Sequence, residues 1–277
     1  MSDLGFEPEF RHLTGNSGNM AAVIDFLQFS AAPRLGEMLC GHGSDVQIYD
    51  FDPLADLEKS SNYVDLNILA LAYATAFREK LAPGQRASLV GYCSTAALTM
   101  LVAGALASDY DISAVLVQPS WPDNRMIASE LTKYRTVFGA EIDPDIDIES
   151  DPLAVLGFID QVYTAALEKS SDHNSAEHAE YMSDFVARHR SWLWFLVATR
   201  NALLVPCAQK LPTHVIMGKE GSGWMPWLAL CPYTVVRLTS QNDNLFDDSL
   251  ATVILSHVIG KGDSDDESLS PLRADPR

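Results

Sequence analysis

The chain has 277 residues and a mass of 30.3 kDa, enough for one large α/β domain with a substantial core. Its formal net charge of -18 argues against nucleic acid or anionic lipid held through a broad basic face. Apolar residues make up 47%, yet no stretch approaches the roughly 20 apolar residues of a membrane span, and Met1 to Phe10 lacks the basic-then-apolar start of a secretory signal. The four cysteines, Cys40, Cys93, Cys207 and Cys231, form no C-x-x-C pair. Reduced thiols in a cytosol are therefore expected, with neither a zinc site nor a disulfide framework.

Along the chain, short β-branched runs alternate with helical stretches, the pattern of a mostly parallel sheet flanked by helices. The predicted strands are Val23 to Phe29, Val46 to Asp50, Ala87 to Tyr92, Ala114 to Gln118, Thr213 to Met217 and Tyr233 to Leu238. Asn62 to Leu81 repeats its apolar residues at helical spacing until Ala82-Pro83-Gly84 stops it. Ser94 to Ala107 is small and apolar all round, as a packed central helix should be, and Gly104 is expected to let another element approach closely. The alternation breaks from Trp121 to about Pro206: an acidic, proline-bearing loop, a helix near Pro152 to Lys169, a polar loop and a helix near Glu177 to Leu204. This segment, 121–206, reads as a helical lid within one domain spanning 1–260. From Lys261 onward Ser, Asp, Glu and Pro dominate, so 261–277 is expected to be a disordered acidic tail.

The most informative stretch is Leu89-Val90-Gly91-Tyr92-Cys93-Ser94-Thr95-Ala96-Ala97. A strand runs into small residues around one nucleophile-capable side chain and then into a helix, the layout of a nucleophile elbow. Small neighbours suit the crowded turn, and a helix start beside a cysteine favours its thiolate. The motif is short, and Thr95 stands where G-x-S-x-G has its second glycine. A buried structural cysteine at a strand end is the competing reading.

Over residues 10 to 260 the chain resembles the thioesterase domains and stand-alone thioesterases of polyketide and nonribosomal peptide assembly lines. The resemblance is carried by order, spacing and small-residue placement: the lead-in Phe10 to Gly15, the strand and turn Ala22 to Gly43, Val46 to Pro53, the helix–strand–elbow–helix run Asn62 to Ala107, and Ala114 to Pro122. It implies an α/β-hydrolase fold and a cytoplasmic hydrolase or acyltransferase in natural-product biosynthesis. The substrate would be an acyl chain held as a thioester on the phosphopantetheine arm of an acyl or peptidyl carrier protein. No further cofactor or metal is implied, and neither nucleic acid nor membrane is expected as a partner.

Such catalysis needs a nucleophile, a base, an acid to orient the base, and an oxyanion hole. Cys93 supplies the first. The family's histidine position falls on Asn242, or on Asp243 one residue later; asparagine takes no proton at neutral pH, while Asp243 could, against the plainer reading of a solvated loop carboxylate. The family's acid falls near Pro119, with Glu220 at the alternative site after the next strand, where pairing with Lys219 is the competing reading. Backbone N–H groups of Ala31 and Ser94 are the natural oxyanion donors. Tyr92 beside the nucleophile, and Trp192 and Phe195 in the apolar run Trp192 to Leu196, are candidates to line an acyl channel, with core packing the default for most of that run. His189, His214 and His257 read as structural or surface histidines, and His42 belongs to a Gly-rich turn leading into a strand, too short for a phosphate loop. Two functions follow: an acyl-Cys93 enzyme, or a catalytically impaired pseudo-thioesterase that binds an acyl chain or carrier protein.

Overall fold

A computed structural model of the protein describes residues 6–15, 18–26, 34–42, 46–138, 152–171, 176–202, 211–218, 232–238 and 248–260. Its strands are β1 (Arg11–Thr14), β2 (Asn19–Ile24), β3 (Val46–Phe51), β4 (Arg86–Tyr92), β5 (Asp111–Val117), β6 (Thr213–Met217) and β7 (Thr234–Arg237). They form one sheet in the order β1-β3-β2-β4-β5-β6-β7, with β1 antiparallel to β3 and every other pair parallel. Helices α1 (Leu35–Cys40), α2 (Pro53–Glu58), α3 (Leu66–Arg78), α4 (Ala96–Leu106), α5 (Asn124–Phe138), α6 (Pro152–Ser171), α7 (Ala176–Asn201) and α8 (Asp248–Ile259) flank it.

The central strands β2, β4 and β5 are apolar almost without interruption because both of their faces are covered. Their side chains alternate between two cores. Met20, Ala22 and Ile24 of β2, Leu89 of β4 and Leu116 of β5 join α3, α4 and α7 on one face. Ala21, Val23, Val90 and Val115 meet α1 and α8 on the other. The one polar pair in the middle of the sheet is satisfied, since Ser88 and Ser113, in register on β4 and β5, share a hydroxyl hydrogen bond of 2.7 Å. Caps fix the helix starts: Asp52 accepts from the amides of Leu54 and Ala55 at 3.1 Å to open α2, and Asp65 accepts from Asn67 at 2.8 Å to open α3.

Several sequence expectations change. The first long strand begins at Asn19 and ends at Ile24, short of the expected Phe29. The reason is Asp25, whose buried carboxylate turns back to accept the amides of Phe26 (2.7 Å) and Leu35 (2.9 Å). The lead-in at Arg11–Thr14 is itself an edge strand. Helix α5 occupies part of the segment read as loop, burying Ile127, Leu131 and Tyr134, the i, i+4, i+7 stripe of an amphipathic helix. Gly104 does not admit a neighbour, for a Cβ there would meet nothing within 4 Å. The close approach occurs at Gly91 instead.

Helix α7 is unusual in being wrapped on all sides over its second half: Arg190 to Thr199 are buried without a break. It packs against α2, α3, α5 and α6. Arg190 lies between Tyr163 and Trp194, its guanidinium carbon 4.1 and 4.5 Å from the two ring centres, and donates to the Ser60 carbonyl at 3.2 Å. A planar guanidinium satisfies both rings at once and an ammonium does not. Arg190→Lys is therefore expected to lower stability by about 1–2 kcal/mol, read as a lower midpoint in urea unfolding; an unchanged midpoint would show that the two rings hold the helix without the cation.

Candidate active site

Cys93 opens a single 3₁₀ turn (Cys93–Thr95) between the end of β4 and the start of α4. Its φ is +53°, in the left-handed region that non-glycine residues visit at a cost of about 1–3 kcal/mol. The corner is tight because the helix runs directly back across the strand. At Gly91, a Cβ would lie 2.1 Å from Thr99 Oγ1 and 2.8 Å from Thr99 Cβ. Thr95, the residue in place of a second glycine, uses its hydroxyl to lock the corner. It accepts from the Tyr92 amide at 2.9 Å and lies 2.7 Å from the Ile24 carbonyl and 2.8 Å from the Tyr92 carbonyl. The threonine thus ties the elbow to the neighbouring strand, a job for which sequence spacing offered no signal.

The thiol is half-buried at this corner. Its sulfur lies 3.1 Å from Ser120 Oγ and 3.8 Å from Ser94 Oγ, and the two hydroxyls are 3.2 Å apart. Ser120 arrives from the next strand. β5 ends at Val117, Gln118 turns with a φ of +43°, and the Ser120 amide then donates to the Cys93 carbonyl at 3.2 Å. Cys93 and Gln118 are the two positive-φ residues other than glycine among the described residues. Ser120 carries no sequence signal of its own, since the chemistry of this turn calls for a carboxylate and a serine there reads as an ordinary loop residue.

Ser94, one expected oxyanion donor, is fully buried, and its N–H belongs to the first turn, where amides lack partners within the helix. Tyr92 flanks the corner. Burial, reinforced by Cys93 and Asp25, pushes its phenol up to about 12, so it stays protonated at physiological pH. Trp192 and Phe195 are closed off, 3% and 0% exposed, with ring centres 5.1 and 5.6 Å from that of Phe26 just past β2. In this conformation they pack together with the residue that follows the Asp25 clasp. Ala31, Glu220, Asn242 and Asp243 lie outside the described residues, as do Cys207, Cys231 and the tail.

Among the described residues, no imidazole or carboxylate hydrogen-bonds to the Cys93 sulfur. His42 Nε2 lies 3.2 Å from Asp248 Oδ1. His189 bonds the Phe185 carbonyl at 2.9 Å, and burial pushes its pKa down. His214 and His257 stack at 4.2 Å, with His214 near the amino end of β6, whereas Cys93 lies beyond the carboxyl end of β4. No group of three or more metal-ligating side chains occurs among the described residues, and no described helix is long and apolar enough to cross a membrane.

A parallel sheet with an antiparallel edge strand, covered on both faces and carrying a strained residue at a central strand-to-helix corner, is the α/β-hydrolase fold. Comparison with solved structures agrees on that class. No family model matches the sequence, and no curated protein matches it either. Solved structures do match in fold. A hydrolase from Oleispira antarctica has a TM-score of 0.54 at 15% identity, covering 93% of this chain and 96% of that one. The type II thioesterase BorB from the borrelidin biosynthetic cluster has 0.53 at 12%, and a Vlm2 thioesterase domain bound with a dodecadepsipeptide has 0.53 at 13%, each covering 90% of this chain and 97% of the other. At such identities the likeness is one of fold.

Proposed function

We propose that the protein is a thioester hydrolase or acyltransferase working through an acyl-Cys93 intermediate. The substrate is an acyl chain on the phosphopantetheine arm of an acyl or peptidyl carrier protein, in cytosolic natural-product biosynthesis. The observation that carries this reading is the sulfur itself, half-buried on a left-handed residue at the elbow of an α/β-hydrolase fold whose neighbours include thioesterases. A cysteine asks least of its surroundings, since a few per cent of a free thiol is thiolate near neutral pH.

In the acylation step, the Cys93 thiolate attacks the carbonyl carbon, a new C–S bond forms, and the carrier's C–S bond breaks. The departing thiolate takes a proton from solvent, balancing the one Cys93 released. Water or another acceptor then takes the acyl group, and Cys93 regains its proton. Thioesters suit this site because a thiolate departs without a strong general acid.

A second reading, an acyl- or carrier-binding protein that does not turn over, is favoured by the sulfur's hydrogen-bond partners among the described residues, which are the hydroxyls of Ser94 and Ser120. Incubation with acyl-pantetheine thioesters and intact-mass measurement separates the two. The wild type is expected to gain one acyl mass and Cys93→Ala none. Binding of the thioester with neither adduct nor thioester loss would replace the enzyme by the binder.

A further inference from the structure

Resting on the acyl-Cys93 reading, we propose that Ser120 is a second catalytic residue, acting on the reacting sulfur as its hydrogen-bond donor. The contact is 3.1 Å, and the chain goes to some length to make it. β4 and β5 lie side by side in register to Tyr92 and Val117. Each leaves the sheet through a left-handed residue, Cys93 on one strand and Gln118 on the other, and each of these is an uncommon conformation for a side chain larger than glycine. Pro119 fixes the next φ, and the Ser120 amide is then bonded to the carbonyl of Cys93 itself. Nucleophile and hydroxyl are held by one shared backbone link.

The direction of the hydrogen bonds follows from the chemistry. A thiolate only accepts, so once the sulfur is charged Ser120 has to donate to it. Its oxygen is then free to accept from Ser94, 3.2 Å away and fully buried. The chain Ser94 to Ser120 to sulfur satisfies every group, and bonds to a charged atom are the stronger kind. Ser120 keeps its own proton throughout; the proton leaving Cys93 passes to solvent. The donor stabilises the negative sulfur twice, before it attacks the thioester and again as it leaves the acyl intermediate.

The test reads the sulfur with and without substrate. Alkylation of Cys93 by iodoacetamide at fixed pH, followed on the Cys93 peptide, is expected to slow about tenfold in Ser120→Ala and to stay near the wild-type rate in Ser120→Thr, which keeps the hydroxyl. Acylation by acyl-pantetheine should fall in parallel, with matching urea midpoints excluding a folding defect. An Ala variant alkylated at the wild-type rate overturns the proposal, as does a Thr variant as slow as Ala. If alkylation follows Ser120 while the wild type takes no acyl group, the donor stands and the thioesterase reading falls.

Discussion

Gly91→Ala is expected to cost about 3 kcal/mol of stability, at the upper end for overpacking a filled interior, and to abolish acylation of Cys93. The alanine methyl would lie 2.1 Å from the Thr99 hydroxyl and 3.3 Å from the Ala96 backbone. Neither is the far end of a flexible side chain: Thr99 is buried and its hydroxyl donates to the carbonyl of Thr95, the residue that caps α4, at 2.9 Å. The helix therefore has to lift from β4, carrying the elbow with it. Urea unfolding measures the loss, and Thr99→Ala in the same chain should return part of it by removing the nearest atom. A Gly91→Ala protein of unchanged stability would mean that the corner is looser than its contacts imply.

Asp25→Ala is the second large effect, about 2–6 kcal/mol, because it strands the two amides, of Phe26 and Leu35, that the carboxylate now accepts. Asp25→Asn keeps one acceptor and should lose roughly half as much. The same residue sets a pH dependence. Burial is the largest influence on its carboxyl and raises it above the usual 3.8; the two amide bonds and Arg34 pull the other way. The folded chain thus binds this proton more tightly than the unfolded chain, and ionisation costs stability. Its contribution is fully present below about 3.8 and declines as pH rises through the raised folded value. In Asp25→Asn that segment of the stability-against-pH curve should flatten; a curve with the wild-type slope would assign the titration to another carboxylate, Asp50 or Asp56, both also raised by burial.

The alternation of apolar runs and helices was enough to locate β3 to β7 and the central helix, while the first expected strand meets β2 only at Val23 and Ile24; the signal is clearest at β4 and β5, whose residues are buried on both faces. The elbow was legible for a similar reason: Gly91 and the small residues after it are what a helix lying on its own strand requires. Other features resisted. Arg11–Thr14 pairs only along the edge, so its pattern is too mixed to read as a strand. Asp25 was the available clue that the first long strand stops early, since a carboxylate inside an apolar run has to find donors and here bends the chain to do so. Ser120 could not be found from spacing, because its nearness to Cys93 depends on the backbone turn at Gln118, a residue with no composition signal for a left-handed φ. Glycine placement misled at Gly104, which faces open space because the crowded side of that helix is the one turned to β4.

On the proposed thioesterase reading, the burial of α7 limits how an acyl chain could gain entry. A cover that swings as a rigid flap needs a helix free along its length, whereas Arg190 to Thr199 are embedded in the same interior that supports β2 and β4. Lifting them would mean dismantling the domain. Movement is left to the half-exposed amino-terminal turns, where Tyr181 is 66% accessible, so α7 can bend or fray like a rod clamped at one end but cannot open as a door.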